Sequence, residues 1–378
     1  MTFDLQNSRR IVIKVGSSLM IGDDNQVREA WLRTLAEDIA ELLGQAKQVV
    51  VVTSGAVALG RQTLNYGNRA LKLEEKQAAA ACGQIRLIGH WERAFQLENA
   101  IFHPAQILLT LDDSEDRRRY LNARNTLETL LAESHIIPII NENDSVATAE
   151  LIVGDNDRLA ARVAQMISAD LLFLFSDVDG LYTANPAVDS NAVHIPELRQ
   201  ITPEIEAMAG GVGSPFGSGG MRTKIEAAKI ALAAGCDMII GKGFEPHPVR
   251  RILSGELCTR FRAAATPKNA RKHWISGSLQ PSGTIVVDEG ARAALAKGNS
   301  LLPAGVRAIQ GEFERGDAIV IKDSQNRVLG KGLSAYSSDD AQRIIGVKSG
   351  EIESILGFKG RDTLIHRDDM ALDIGGES

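Results

Sequence analysis

The sequence is poor in the residues that usually hold a disulfide framework or a metal ion. Its 378 residues include only three cysteines and seven histidines. The cysteines are Cys82, Cys236 and Cys258, and no two of them form a C-x-x-C pair. An odd count without a close pair argues against a disulfide framework and against a zinc site. We therefore expect buried thiols in a reducing compartment.

Long apolar runs are also missing. Runs such as Val49 to Val52 fall far short of the roughly 20 residues that a membrane helix needs. The N-terminal segment leads into a strand-like run without an apolar signal segment. We expect a cytoplasmic protein that does not associate with membranes. The net charge of −6 argues against general binding of polyanions, so any phosphate site has to be built locally.

Two common nucleotide-binding motifs are absent as well. The chain contains no G-x-x-x-x-G-K-[ST] motif, and no G-x-G-x-x-G follows its first strand-like run. These motifs mark P-loop proteins and dinucleotide-binding domains. A nucleotide site in this chain must therefore belong to a different class of kinase.

The pattern of apolar residues from residue 10 to about 245 predicts an α/β domain. Strand-like runs alternate there with helix-like segments, which is typical of an open, mostly parallel sheet with helices on both faces. The runs are almost continuously apolar, as expected for strands that are covered on both sides. The predicted strands are Ile11–Val15, Val49–Thr53, Ile136–Ile140, Leu171–Phe175 and Met238–Ile240.

The composition changes after Pro267. Short β-like pieces there are separated by Gly, Asp and Asn, which predicts a small β-rich domain. A length of 378 residues is itself typical of more than one domain. The predicted boundaries are a catalytic domain over 1–262, a linker over 263–275, a β-rich domain over 276–365 and a tail over 366–378.

Polar residues follow several of the predicted strands. The first strand ends in Lys14-Val-Gly-Ser-Ser18, and Ser54 follows the second. Asn141–Asp144 follow the third strand, and Ser176 and Asp177 follow the fourth. Each group could be an ordinary turn. Because ligands of open α/β sheets bind beyond the carboxyl ends of the strands, their coincidence at one edge indicates a ligand site.

Two lysines and an aspartate are candidates for a phosphate site. Glycines 217, 219 and 220 precede Lys224 and the helix-like run Ile225–Ala234, and backbone N–H groups at such a place can bind an anion. A flexible loop is an equally common use of such glycines. Lys14 ends a buried strand, where a lysine either needs a partner or extends to the sheet edge. Asp157 could pair with both lysines, although capping of a helix explains one of the neighbouring polar residues.

Together these segments resemble the amino-acid kinase family, and within it the members that phosphorylate L-glutamate. The resemblance extends over nearly the whole chain, and the C-terminal portion looks like a PUA domain. Ser218 stands where a threonine is common in the family. The segments that carry the resemblance are Lys14–Ser18, Ser54-Gly55, Asn141–Asp144, Gly154–Asp157, Asp177 with Gly180–Tyr182, Gly219–Lys224, and the helical segments Lys76–Gln84 and Tyr120–Arg124.

The resemblance implies a role for each matched residue. Lys14 and Lys224 would neutralise the transferring phosphoryl group, and Asp157 would orient them. Mg²⁺ would accompany ATP, bound mainly by phosphates and water, with no protein ligand named. L-Glutamate would be bound by Ser54, Asp144 and Asn156. ATP would be bound by Lys14, Ser176, Asp177, Ser218, Gly219, Gly220, Met221, Arg222, Thr223 and Lys224.

The implied reaction is the ATP-dependent conversion of L-glutamate to L-glutamyl 5-phosphate, the first step of proline biosynthesis. The attacking carboxylate is already ionised at neutral pH, so it needs no general base. This agrees with the absence of a histidine cluster from the sequence. The resemblance further implies feedback inhibition by proline, a homo-oligomer and a hand-off of the product to glutamyl phosphate reductase.

Three alternatives remain open at this point. The chain could phosphorylate N-acetylglutamate or aspartate, against which the Lys14–Ser18 turn and the C-terminal domain argue. It could be an RNA-binding PUA protein, but residues 275–378 hold 12 Lys and Arg against 15 Asp and Glu, and few aromatics, so nucleic acid is an unlikely partner. It could be an inactive regulator, although every matched charged position is intact.

Overall fold

The computed structural model describes residues 5–22, 24, 26–98, 100–146, 155–209, 219–277 and 280–373. These residues form two compact units, Met1–Pro267 and Lys268–Ser378. No helix in the described ranges is long and apolar enough to cross a membrane.

The first unit is an α/β domain. Its strands are β1 Arg10–Val15, β2 Gln48–Val52, β3 His103–Leu109, β4 Ile136–Glu142, β5 Leu171–Ser176, β6 Leu181–Tyr182, β7 His194–Ile195, β8 Glu197–Leu198, β9 Asp237–Lys242 and β10 Cys258–Phe261. Its helices are α1 Ser17–Met20, α2 Glu29–Gly44, α3 Ala56–Thr63, α4 Leu73–Ala94, α5 Leu111–Glu115, α6 Arg117–Leu131, α7 Asp155–Met166, α8 Pro203–Met208, α9 Gly219–Ala233 and α10 Pro248–Leu253.

Eight of these strands form one sheet in the order β3-β4-β2-β1-β5-β9-β10-β8. The six strands from β3 to β9 run parallel to their neighbours. Strand β10 pairs with β9 in the antiparallel direction. The prediction of an open, mostly parallel sheet is therefore confirmed. Its consequence for function is that the carboxyl ends of six strands share one edge.

Both faces of the sheet are buried, as the apolar runs predict. In β1, Ile11, Ile13 and Val15 belong to a core that includes residues of α2, α4 and α10. Val12 points to the other face, into a core that includes residues of α7 and α9. Successive side chains of a strand point to opposite faces, so a strand covered twice has to be apolar at every position.

The sequence does not predict β3 and β10, and it places the start of α9 too late. Strand β3 is at the edge of the sheet, and only Leu109 of its seven residues is buried, so it lacks a continuous apolar run. Helix α9 begins at Gly219 rather than Ile225. The glycines 219 and 220 thus lie in its first turn, because packing against the sheet outweighs the low helix propensity of glycine.

The second unit is small and rich in β-structure, as predicted. Its sheet has the order β12-β11-β13-β14-β15. The strands are β11 Gly283–Val287, β12 Val306–Gln310, β13 Ala318–Lys322, β14 Val328–Leu333 and β15 Met370–Leu372. The helices are α11 Pro267–Gly277, α12 Glu289–Ala296, α13 Ser338–Arg343 and α14 Ile352–Leu356, with 3₁₀ turns at Pro303–Gly305, Ser349–Glu351 and Arg367–Asp369.

Helix α11 occupies most of the predicted linker over 263–275. It is tied to the second unit by Arg271, whose Nη2 lies 2.7 Å from Asp369 Oδ1. Both side chains are largely buried. A buried ion pair of this kind requires that its two ends keep a fixed geometry, so this part of the chain has a defined conformation.

Candidate active site

The polar residues that follow the strands come together at the carboxyl edge of the sheet of the first unit. They line a cavity of about 430 Å³. Strand ends contribute Lys14, Ser54, Asp144, Ser176 and Asp177 to its wall. The first two turns of α7 and α9 contribute the remainder of the predicted lining residues, which are Asn156, Asp157, Gly220, Thr223 and Lys224.

Two lysines meet one carboxylate at the bottom of this cavity. Lys14 Nζ lies 2.5 Å from Asp157 Oδ1, and Lys224 Nζ lies 3.3 Å from Asp157 Oδ2. The side chains of both lysines are 8% exposed, and that of Asp157 is 1% exposed. Thr223 Oγ1 donates a further hydrogen bond of 3.0 Å to Asp157 Oδ2. One aspartate in the first turn of α7 therefore connects β1 to α9.

Burial and charge act in opposite directions on the ionisation of Asp157. Burial by itself raises the pKa of this carboxyl, but attraction to Lys14 and Lys224, with hydrogen bonds from Lys14 and Thr223, outweighs burial and lowers its pKa. Burial lowers the pKa of Lys224, although the Asp157 carboxylate opposes this shift. The Lys14 charge disfavours the protonated form of Lys224 further. The two lysines thus hold Asp157 in its ionised form, and the Asp157 carboxylate in turn favours protonated Lys224.

The two ammonium groups keep donors for a ligand. Each ammonium has three N–H donors, and Lys224 uses two of them on Asp157 and on the carbonyl of Gly220. Asp157 can neutralise only one of the two positive charges. Asp177 also lines the cavity, and its charge favours protonated Lys224. A buried pair of cations with remaining donors is suited to binding the oxygens of a phosphate group.

A second set of contacts surrounds the predicted substrate residues. Asn156 Nδ2 lies 2.9 Å from the carbonyl oxygen of Thr53 and 2.6 Å from Ser54 Oγ. It also lies 3.1 Å from Asn141 Oδ1. Asn156 and Asp157 are consecutive residues with different partners. The Asn156 side chain contacts Thr53, Ser54 and Asn141. The Asp157 side chain binds the two lysines. The structure thus places Ser54 and Asn156 directly beside the cation pair.

Some of the residues predicted to bind ATP do not line the cavity. Ser176 lines it and donates a 2.7 Å hydrogen bond to Asp177 Oδ1. The Arg222 side chain is 61% exposed and pairs with Glu226 one turn further along α9. Met221 packs against the core between the sheet and α9. Consecutive residues of a helix point in different directions, so a six-residue motif at its start cannot face one cavity as a whole. Ser218 lies outside the described residues, and Gly219 begins α9.

The structure adds two cations that sequence reasoning missed. Arg61 at the end of α3 and Lys76 near the start of α4 both line the cavity. Arg61 Nη1 also donates to the carbonyl oxygens of Gly67 and Arg69. Arg61 lies neither at a strand end nor in a glycine-rich segment, and Lys76 begins a helical segment that matches the family but for which no role was predicted. The packing of α3 against α4 brings them to the cavity.

The comparison with protein families agrees with the division into two units. Residues 9–242 match the model of the amino acid kinase family, and residues 283–356 match that of the PUA domain. The first match covers strands β1 to β9 and every element that contributes to the cavity. It defines the class of the first unit.

Relatives at high identity define the class more narrowly. The glutamate 5-kinase of Paramagnetospirillum magneticum is 59% identical over 370 residues, which are 98% of this chain and 99% of the relative. The glutamate 5-kinase of Rhodopseudomonas palustris is 54% identical over 98% of both chains. The glutamate 5-kinase of Gluconobacter oxydans is 52% identical over 98% of this chain and 97% of the relative. The chain therefore belongs to the amino acid kinase family, among its glutamate 5-kinases.

Proposed function

We propose that this chain transfers the γ-phosphoryl group of ATP to the side-chain carboxylate of L-glutamate, giving ADP and L-glutamyl 5-phosphate, the first step of proline biosynthesis. The observation that carries the proposal is the pair of buried lysines held by Asp157 at the carboxyl edge of a parallel sheet. The names of the relatives, which match over nearly the whole chain, support glutamate as the substrate.

The chemistry needs charge neutralisation more than proton transfer. The γ-carboxylate of glutamate is ionised at neutral pH and attacks phosphorus directly, so no general base is required. The obstacle is the approach of an anion to a triphosphate. Phosphoryl transfer is catalysed mainly by positioning and by stabilisation of the charge on the transferring group. Lys14 and Lys224 would supply that stabilisation, and Asp157 would hold both ammonium groups in place.

The remaining residues divide into two groups in this proposal. Ser54, Asp144 and Asn156 bind L-glutamate, with the Asp144 carboxylate suited to the substrate ammonium group. Ser176, Asp177 and the 218–224 segment bind ATP. Within that segment Gly220, Thr223 and Lys224 line the cavity, so we assign them the direct contacts and assign Arg222 and Met221 a place beside the site.

We propose Mg²⁺ as the metal that accompanies ATP. Among the described residues no group of three or more His, Cys, Asp and Glu side chains could hold a metal ion. Mg²⁺ commonly keeps phosphate oxygens and water as ligands, so a site without a protein cage fits this ion when it enters with the nucleotide. When bound it neutralises part of the phosphate charge, while the two ammonium groups neutralise the transferring group.

Four further proposals rest on the family resemblance. Proline would inhibit the enzyme by competing at or beside the glutamate pocket. The chain would form a homo-oligomer and act in the cytoplasm. The unstable acyl phosphate would pass to glutamyl phosphate reductase. The first of these can be measured in the same assay as the reaction.

The reaction is tested by trapping the acyl phosphate with hydroxylamine. With ATP and Mg²⁺, hydroxamate is expected with L-glutamate and not with L-aspartate or N-acetyl-L-glutamate, because the two analogues change the chain length or remove the ammonium group. Proline is expected to suppress the signal. Hydroxamate from aspartate or N-acetylglutamate instead would assign another member of the family, and none with all three would contradict the proposed function.

The pH dependence should report the buried Lys224. Burial lowers the pKa of this ammonium below its ordinary value of 10.5. Lys224 has to be protonated to stabilise negative charge, so activity is lost as the pH rises through its pKa. We expect kcat/KM for ATP to fall at a pH below that value, and kcat to fall at a higher pH because bound phosphates favour the charged lysine. A flat profile in this range, measured with the fold intact, would argue against the role of Lys224.

A further inference from the structure

Four side-chain amides form a row of hydrogen bonds that begins at the exposed Gln106 on the edge strand β3. The row ends at Asn156, which lines the cavity together with Ser54. Asn156 Nδ2 donates to Asn141 Oδ1 at 3.1 Å, and Asn141 Nδ2 donates to Gln84 Oε1 at 2.8 Å. Gln84 Nε2 in turn donates to Gln106 Oε1 at 3.1 Å. Gln84 lies on α4 and is 9% exposed, and Asn141 at the end of β4 is 2% exposed. We call these four residues the amide row.

The contact of Asn156 with Thr53, at one end of the amide row, determines which side-chain atom donates and which accepts in the hydrogen bonds of the row. Asn156 Nδ2 lies 2.9 Å from the backbone carbonyl oxygen of Thr53, and a carbonyl oxygen can only accept. The atom of Asn156 on that side must therefore be the nitrogen. Thr53 cannot turn its carbonyl away easily, because its own N–H donates to Ile140 of the neighbouring strand at 2.9 Å.

The other amides have to follow this direction. Because Asn156 presents its nitrogen, Asn141 must present its oxygen to Asn156 and its nitrogen to Gln84. Gln84 then has to accept with its oxygen. A reversal of Asn141 would bring two N–H₂ groups face to face and leave buried donors unpaired, which disfavours that orientation.

The amide row also decides how Ser54 can meet a ligand. Asn156 Nδ2 lies 2.6 Å from Ser54 Oγ and has two hydrogens for three acceptors, so Ser54 Oγ shares one of these hydrogens with a second acceptor. The hydroxyl thus accepts one hydrogen bond from the protein, and its own hydrogen remains available to donate. Ser54 lines the cavity, so this hydrogen is suited to a carboxylate oxygen of the substrate.

We propose that Gln84 is a positioning residue for the glutamate side of the cavity. It does not line the cavity itself. Its side-chain oxygen accepts from Asn141 Nδ2 and so holds Asn141 Oδ1 within hydrogen-bond reach of Asn156 Nδ2, which supports the position of Asn156 beside Ser54. The proposal rests on the proposed function, because it assigns Ser54 and Asn156 to L-glutamate.

The test compares two substitutions of Gln84 in the full-length chain. Gln84→Met has a similar size but no oxygen, so Asn141 Nδ2 loses its acceptor and the Asn141 side chain is no longer held against Asn156. Gln84→Glu keeps an oxygen for Asn141 in either protonation state, and the exposed Gln106 can turn its nitrogen toward the new carboxyl. We expect Gln84→Met to raise KM for L-glutamate about tenfold, with KM for ATP within about twofold. We expect Gln84→Glu to keep KM for L-glutamate within about threefold.

A larger KM for L-glutamate in Gln84→Met than in Gln84→Glu distinguishes a hydrogen-bonding role of Gln84 from a packing role. A residue that only fills space would tolerate methionine and suffer from a buried carboxyl, so it would give the opposite order. Gln106→Met is the matched control. Gln106 is exposed, so water can replace its oxygen, and KM for L-glutamate is expected within about twofold of the wild type.

Thermal unfolding of each variant shows whether the fold is intact. The proposal is overturned if Gln84→Met leaves KM for L-glutamate unchanged, raises it no more than Gln84→Glu, or raises both KM values equally. Wild-type turnover with L-glutamate together with any of these results leaves the proposed function standing. A wild-type chain without glutamate-dependent turnover contradicts the proposed function, and the assignment of Gln84 fails with it.

Discussion

Replacement of Lys14 or Lys224 by alanine is expected to reduce kcat about 10²–10³-fold in each case. Both ammonium groups are preorganised by Asp157 at 2.5 and 3.3 Å. They have no freedom to turn away, so they stabilise developing negative charge without reorganisation. The measurement is steady-state hydroxamate formation at saturating ATP and L-glutamate. Because the effect belongs to the transition state, kcat should change more than KM for L-glutamate.

Stability provides the control for these two variants. Removal of one lysine leaves a single ammonium opposite a single carboxylate, so the buried charges remain balanced and the variant should fold. Lys229→Ala is the matched substitution on α9, where the lysine is 43% exposed and pairs with Glu206. It is expected to retain normal turnover. If Lys14→Ala or Lys224→Ala also turned over near the wild-type rate, the role we assign to that lysine would be wrong.

Asp157→Asn is expected to affect both activity and stability. The asparagine has the same shape but leaves two ammonium groups close together with no buried counter-charge between them. Breaking a buried ion pair by removal of one partner typically costs about 3–5 kcal/mol. We expect the free energy of unfolding of the first unit to fall by an amount in that range. We also expect turnover to fall about 10²–10³-fold or more, because both lysines lose their orientation. Chemical unfolding and hydroxamate formation measure the two effects.

The pH dependence of stability and a second substitution show whether the effect of Asp157→Asn comes from the lost charge or from a change of shape. The stability deficit should shrink as the pH rises, since Lys224 loses its proton below pH 10.5 and the repulsion disappears. Asp157→Asn combined with Lys224→Met should recover part of the stability and none of the activity. Glu226→Gln, on the partly exposed face of α9, is the surface control. An Asp157→Asn variant as stable as the wild type would show that repulsion between the lysines is screened.

The sequence predicts the fold where its physical cause is local. The continuously apolar strands are read correctly because burial on both faces demands apolar residues at every position. Strand β3 is missed because it lies at the sheet edge, where exposed positions are tolerated. Helix α9 is placed too late because glycine is a weak helix former and only packing against the sheet shows that its first turn is helical.

In the second unit, the charge count from the sequence does not predict where charged side chains cluster in the structure. A count over residues 275–378 finds no excess of Lys and Arg. The structure nevertheless brings Lys268, Lys272, Lys297 and Arg367 around one cavity of about 550 Å³, with Asp368 as the only acidic residue in its described lining. Net charge is a sum over the chain, whereas a local field depends on which charges become neighbours. We assign no ligand to this cavity.

The sequence by itself determined the class of fold, the edge of the sheet that carries the site and the residue types of the cation pair. Strand ends and charged residue types are local properties, so they can be read along the chain. The sequence also suggested that Asp157 pairs with Lys14 and Lys224, and the structure contains both contacts. The tertiary structure alone decided that Arg61 and Lys76 reach the same cavity and that Arg222 does not line it. It also decided the direction of the amide row. These properties depend on distances between side chains that are far apart in the sequence and on the pairing of hydrogen-bond donors with acceptors. Both are specified only when the helices pack on the sheet.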